Sequence, residues 1–200
     1  MTKIITISRQ YGSGGKAIGE RLAKRLNIPF YDKELVELAS KSSEINLDVF
    51  THEEEIAGAE ISYLSSLQHF LHEGSDGLLN LSVKDRMFIA QSEVIEELAN
   101  QGPAVFVGRC GDVVLKNHPS AIHVFIKANE QSRKERVIND YGVEPEKALL
   151  TMKRIDHRRK HYYEYYTGRR WGDMNNYDLV IDSSKFDIDE IVDMLEIICQ

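Results

Sequence analysis

A glycine-rich stretch, Ser8-Arg9-Gln10-Tyr11-Gly12-Ser13-Gly14-Gly15-Lys16-Ala17-Ile18-Gly19, follows the short apolar run that ends at Ile7. Glycines at this density let a backbone turn tightly and aim successive N–H groups at one anion. A helix start just beyond them adds partial positive charge. Lys16 stands where its amine can reach the outer phosphates of a nucleotide. The segment therefore reads as a phosphate-binding loop, with Gly12, Ser13, Gly14, Gly15, Lys16 and Ala17 as the residues around the phosphates. Against the pattern G-x-x-x-x-G-K-[ST], Gly15-Lys16 fits, but Gln10 holds the place of the first glycine and Ala17 that of the hydroxyl residue. That hydroxyl normally faces Mg²⁺. Ser13 and Ser8 are the two alternatives for it. The same glycines also satisfy G-x-G-x-x-A, and Asp32 lies twenty residues after Gly12, where a dinucleotide fold places its ribose-binding acid. A dinucleotide oxidoreductase is thus a rival reading. It has no use for Lys16 at the helix start, nor for the basic segment described next.

Residues 153–170 carry seven Lys or Arg against Asp156 and Glu164, a local charge of +5 in a chain whose net charge is −7. Like charges on one helix oppose its stability unless anions neutralise them. A polyphosphate is the economical anion, because guanidinium forks match its oxygens in pairs. Phosphoryl transfer calls for such a cluster, since charge spreads over the moving group. Lys16, Arg154, Arg158 and Arg159 are the candidate catalytic cations. On a helix Asp156 lies one turn from Arg159 and can orient it or touch a substrate. Tyr162, Tyr163, Tyr165, Tyr166 and Trp171 interleave with the bases, as in a single-strand nucleic-acid groove. The overall acidity argues against nucleic acid as a partner, and packing is the expected role of some of these rings. His157 and His161 have metal-compatible spacing but sit amid positive charge that repels a cation. His69, His72 and Glu73 read as surface polar residues.

The elements that must position these groups are legible as well. Ile4–Ile7, Ala104–Val107, Ile122–Ile126 and Leu179–Ile181 are continuously apolar and β-rich, and Ile28-Pro29-Phe30-Tyr31 is a brief extended piece. Helical periodicity follows each, with Asp32 placed to cap the helix through Leu35, Leu38 and Ala39. Lys84–Asn100, Pro145–Tyr166 and Ile188–Ile198 are further helices, while residues 42–83 carry a weaker pattern with helical pieces at Glu53–Ala59 and Ile61–Leu71. Apolar strands alternating with helices mean a parallel sheet covered on both faces, with ligands at the carboxyl ends of the strands. Two hundred residues, 42% hydrophobic, suit one domain. The opening residues form no secretory leader and no stretch is long enough to span a bilayer, so a membrane role is not expected. Cys110 and Cys199 lie in no metal-ligand spacing. A reducing cytoplasm is the expected setting.

Several motifs, in order along the chain, resemble the cytidylate kinase-like family. They are Ile7–Gly15, Pro29-Phe30-Tyr31-Asp32-Lys33, Val107-Gly108-Arg109, Asp156-x-x-Arg159-x-x-Tyr162-Tyr163, Tyr165-Tyr166-Thr167-Gly168, Trp171-Gly172-Asp173 and Asn176-Tyr177-Asp178-Leu179. The resemblance implies a three-layer α/β P-loop NTPase fold with a five-stranded parallel sheet, order 2-3-1-4-5. It implies a core of about 1–41, 84–144 and 177–200, a helical nucleoside-monophosphate-binding insertion of about 42–83, and a lid of about 145–176. It implies ATP and Mg²⁺ as cofactors, small nucleotides as partners, and transfer of the γ-phosphoryl group to CMP or dCMP. By the same likeness Lys16 and the loop hold ATP, while Asp32, Arg109, Asp156 and Arg159 contact the acceptor. The chain departs from that pattern at two places: acidic residues flank the Gly-Arg pair in cytidylate kinases, whereas Val107 and Cys110 stand here. With Ala17, these departures open a second reading, a nucleotide-binding regulator without catalysis.

Overall fold

The computed structural model describes residues 3–43 and 81–199. The run Ile4–Arg9 forms strand β1 at the centre of the sheet, with its first five residues buried. Around it lie α1 (Gly15–Leu26), β2 (Phe30–Tyr31), α2 (Glu34–Ser43), α3 (Val83–Gln101), β3 (Val105–Val107) and the short α4 (Gly111–Val114). Then come β4 (Ala121–Lys127), α5 (Glu130–Asn139), the long α6 (Pro145–Thr167), a 3₁₀ turn at Met174–Asn176, β5 (Leu179–Asp182) and α7 (Ile188–Cys199). The order is β2-β3-β1-β4-β5, all parallel, with Ile5 level with Val105 and Ile122. This is the expected sheet.

The order removes the dinucleotide reading. In that fold the second strand lies beside the first; here β3 separates them, which moves Asp32 one strand further from the loop's own strand. The pleat gives each strand two faces. Ile5, Ile7, Val105 and Val107 pack against Ile18 and Leu22 of α1 and Ile191 and Leu195 of α7. Ile4 and Phe106 pack on the other side with Leu35 of α2 and Ile95 of α3. Helices thus cover both faces, and all five strands end at one edge.

Helix ends follow local chemistry. Ser82 caps α3, its hydroxyl accepting from Asp85 N at 3.2 Å. Pro145 opens α6 and Gly168, at φ 65°, closes it. Helix α6 spans the carboxyl edge of the sheet, Ala148 and Met152 packing on Val137 of α5, Tyr163 and Tyr166 on Phe88 and Cys110. The Phe88 and Tyr166 rings are stacked at 4.1 Å, and Trp171 meets Phe125 edge-on at 5.5 Å. Most of the aromatic residues that interleave with the bases are therefore packing groups that seat α6. The helical pieces foreseen within 44–80, with His69, His72 and Glu73, lie outside the described residues. Among the described residues no helix is long and apolar enough to cross a membrane.

Candidate active site

The glycine loop turns where β1 meets α1, and Gly12 and Gly14 take left-handed φ of 77° and 82° to make it. Loop carbonyls are tied outward by arginines from two later helices. Arg133 Nε donates to Tyr11 O at 2.7 Å, Arg136 Nη1 to Gly12 O at 2.6 Å, and Arg159 Nη1 to Arg9 O at 3.1 Å. Ser183 Oγ donates to Ser13 O at 2.6 Å. With its carbonyls held this way, the loop is free to present N–H groups on its other side, the arrangement an anion needs.

A cleft of about 480 Å³ opens in front of the loop. Its lining includes Arg9, Gly12, Gly14, Gly15, Lys16, Asp32, Lys33, Arg109, Arg158 and Arg159. Among the described residues, six cationic side chains therefore face one carboxylate, that of Asp32. Lys16 Nζ lies 3.3 Å from Asp32 Oδ2, and Arg9 Nη2 lies 3.4 Å from Asp32 Oδ1. Burial lowers the Lys16 pKa, but Asp32, with Glu20 and Glu34, more than offsets this and holds it above its ordinary value. Arg159 is pulled down by burial, opposed by Asp156 and Asp32; a guanidinium keeps its charge regardless. Its guanidinium also lies 5.6 Å from the centre of the Tyr11 ring.

Arg109 sits in an unusual turn. Gly108, Arg109 and Cys110 are three successive left-handed residues, φ 78°, 58° and 55°. A non-glycine residue in that region costs about 1–3 kcal/mol and is held by its surroundings, most often at functional sites. The holding group here is Asp112, 2% exposed, which accepts from Ser8 Oγ at 3.4 Å and from Tyr163 OH at 2.7 Å. One carboxylate thus joins the end of β1, the turn bearing Arg109, and helix α6. Burial pushes the Asp112 carboxyl up, against the pull of the Tyr163 and Ser8 hydrogen bonds.

The structure sorts the residues singled out in the sequence. Lys16, Asp32, Arg109, Arg158 and Arg159 meet at the cleft with the loop glycines. Arg154 does not: it is exposed and lies outside the cleft lining, one turn before Arg158. Asp156 does not line the cleft or orient Arg159; its carboxylate accepts from Tyr11 N at 2.7 Å and pairs with Arg133. Ser13 is fully buried and donates to Gln10 O at 2.8 Å, so its hydroxyl faces the loop's own backbone. Ala17 is not among the lining residues. The Asp32 carboxylate is turned to Lys16 and Arg9 rather than to the start of α2. The His157 and His161 rings are 6.4 Å apart, and the described residues hold no cluster of three metal-ligating side chains. Arg133 and Arg136, which hold the loop carbonyls of Tyr11 and Gly12, are positions that motif reading misses.

Because Asp156 braces the loop, Asp156→Ala leaves Arg133 buried without its partner and frees Tyr11 N. We expect a loss of about 3 kcal/mol in stability, the low end for breaking a largely buried pair, measured by urea unfolding. A loss below about 1 kcal/mol, the range of surface pairs, would remove the bracing role.

The family model of the cytidylate kinase-like family matches residues 4–185. The chain belongs to that family. It is a nucleoside monophosphate kinase-like phosphotransferase on a P-loop kinase fold. Its fold is similar to the crystal structure of an uncharacterized protein from Eubacterium ventriosum, with 30% identity, 96% of this chain and 95% of that one covered, and a TM-score of 0.70. More distant likenesses, which show the fold alone, are a gluconokinase from Sinorhizobium meliloti (18% identity, 96% and 88% covered, TM-score 0.51) and a shikimate kinase from Bacteroides thetaiotaomicron (13%, 99% and 98%, TM-score 0.50). No curated protein matches the chain in sequence. The family implies ATP and a divalent metal ion in general.

Proposed function

We propose that this protein transfers the γ-phosphoryl group of ATP to a nucleoside monophosphate, CMP or dCMP, with residues about 145–176 closing as a lid and about 42–83 shaping the acceptor pocket. One observation carries the choice of an anionic acceptor: the distribution of charge in the cleft. Lys16 and the loop amides suffice for the phosphates of ATP. Lys33 and Arg158 line the same cleft, and their charge calls for a second anion, which a neutral hydroxyl acceptor does not supply.

Catalysis on this reading is positional and electrostatic. The loop N–H groups and Lys16 hold the donor phosphates. Arg109, fixed by its left-handed turn, grips the acceptor phosphate. Arg158 and Arg159 place charge where it develops on the moving group, and α6 keeps water out. The residues present also fit Mg²⁺, a hard ion that takes one or two protein oxygens together with phosphates. Ser8 supplies a hydroxyl on the cleft wall, whereas Ser13 is spent on Gln10 O. When bound, the ion would neutralise negative charge on the nucleotide phosphates.

The test is a coupled ADP-release assay across CMP, dCMP, UMP, AMP and small hydroxyl acceptors. CMP and dCMP are expected to turn over fastest. A faster hydroxyl acceptor would overturn the charge argument. Silence with every acceptor, despite ATP binding, would favour a nucleotide-binding regulator.

A further inference from the structure

Among the described residues, the cleft is lined by five aromatic side chains, Tyr11, Tyr141, Tyr162, Tyr163 and Trp171. Cations and amides suffice for phosphates, so the rings need another account. Four of them have one in the packing. Tyr163 is 3% exposed and donates its hydroxyl to Asp112 at 2.7 Å. Tyr162 meets Phe88 and Tyr166 edge-on, with centres 6.2 and 4.8 Å away. Tyr11 lies against the Arg159 guanidinium, and Tyr141 stands 5.4 Å from Tyr11, beside the phosphate loop. Trp171 differs. Its one ring contact among the described residues is with Phe125, at 5.5 Å and 77°. An edge-to-face contact occupies at most one of the two indole faces, and Trp171 is half-buried at the cleft wall.

The turn that carries this ring is fixed in advance. Trp171 N donates to Glu164 Oε1 at 3.2 Å, and Arg170 O accepts from Asn176 Nδ2 at 2.9 Å. Gly172, at φ 74°, lies so close to Phe125 that a methyl group there would meet its Cζ at 3.3 Å. The indole packs with Cys110 and Tyr163, next to the turn that bears Arg109. A ring held this way costs little entropy to use in binding. Indole offers the broadest π-face of any side chain, and stacking on it accepts any nucleobase. A hydroxyl acceptor without an aromatic ring has nothing to place there.

We propose that Trp171 is the platform on which the planar base of the phosphoryl acceptor stacks. The proposal rests on the nucleoside monophosphate reading above and names the side chain that meets the base. Tyr141, packed on Tyr11 of the phosphate loop, stands on the donor's side; Trp171 stands beside Arg109. The ring belongs to the segment proposed to close as a lid, so closure and base contact support each other. The alternative makes Trp171 a packing group that only seats the end of α6 on Phe125.

Trp171 is the chain's only tryptophan, so its fluorescence reports on this site alone. The full chain is titrated with CMP, dCMP, UMP and AMP, and with ribose 5-phosphate, which keeps the sugar and phosphate without the base. Saturable quenching is expected from the monophosphates that calorimetry shows to bind, and none from ribose 5-phosphate. In Trp171→Leu, CMP affinity should fall about tenfold, within the range of base–aromatic stacking, while ribose 5-phosphate and ATP bind as in the parent. Trp171→Phe keeps a π-face and should recover most of the loss. A monophosphate that binds without quenching, or binds Trp171→Leu as tightly as the parent, would overturn this proposal and leave the phosphotransferase reading standing. Quenching by ATP but by no monophosphate would also overturn it, by giving the ring to the donor. Equal losses of CMP, ribose 5-phosphate and ATP affinity would mark a packing role and overturn it. A parent that binds ATP but none of the four monophosphates would overturn both this proposal and the acceptor reading. A thermal melt monitors folding; should Trp171→Leu fail to fold, the parent's quenching and the affinity of Trp171→Phe decide.

Discussion

Arg159→Ala should lower kcat by about 10³-fold, the lower end of what a transition-state arginine contributes in phosphoryl transfer, while weakening ATP binding by much less. The guanidinium is buried at the cleft wall, donates to Arg9 O at 3.1 Å, and lies 5.6 Å from the centre of the Tyr11 ring. It can act in two ways, as a charge on the moving phosphoryl group or as a brace for the loop. The two predict different kinetics. Loss of a transition-state charge lowers kcat and leaves the ATP Kd from calorimetry nearly unchanged. Loss of a brace loosens the loop and raises Kd in step with the fall in turnover. Arg133, Arg136 and Ser183 still hold neighbouring carbonyls, so the first pattern is expected. Arg159→Lys should recover only part of the rate, because an ammonium restores the charge without the planar fork. Rates equal to the parent's in Arg159→Ala would take the residue out of the mechanism.

How the site could be read in advance depends on where each signal lies in the chain. Continuous apolar runs such as Val105–Val107 announce a buried parallel strand, since only strands covered on both faces are apolar throughout. The glycine loop announces itself because its chemistry is local: glycines, lysine and helix start are contiguous. Arg133 and Arg136 give no such signal. They sit in a charged helix that reads as solvated, and their partners, Tyr11 O and Gly12 O, are more than a hundred residues away. Their three-residue spacing on the helix after β4 was the one available hint. For Arg154 the basic cluster points the wrong way. Arg154 shares a helix face with Arg158, which lines the cleft, but it lies one turn, about 6 Å, earlier along the axis and stands exposed outside the lining. Asp156 illustrates a subtler limit. Its nearness to Arg159 in sequence suggests a pair within the helix, but Arg133, brought in by the packing of α5 on α6, competes for the same carboxylate and holds it. Asp32 was legible as an acid at a strand end; its ion pairs with Arg9 and Lys16 were not, because they depend on how the whole sheet brings the ends of β1 and β2 to one edge.

Gly12→Ala should reduce ATP affinity by at least about 100-fold, or some 2.7 kcal/mol, in a protein that still folds. Two effects combine at this position. Its φ of 77° costs an alanine about 1–3 kcal/mol wherever it occurs. In addition, a methyl group here meets Val137 Cγ2 at 2.7 Å and the Arg133 carbonyl oxygen at 2.9 Å. The second contact is with helix backbone, which cannot step aside, so the loop must move instead. Moving it breaks the Arg136 bond to Gly12 O and swings the neighbouring N–H groups off the phosphates. The sheet core does not depend on this loop, since β1 is packed through Ile5 and Ile7 against α1 and α7. Gly142→Ala isolates the first effect. Its φ is 68° and no atom lies within 4 Å of the added methyl, so it should lose about 1 kcal/mol of stability and keep ATP binding. Calorimetry on both variants checks the pair. Equal, small losses of affinity would mean that the loop tolerates displacement and that its amides are not what holds the nucleotide.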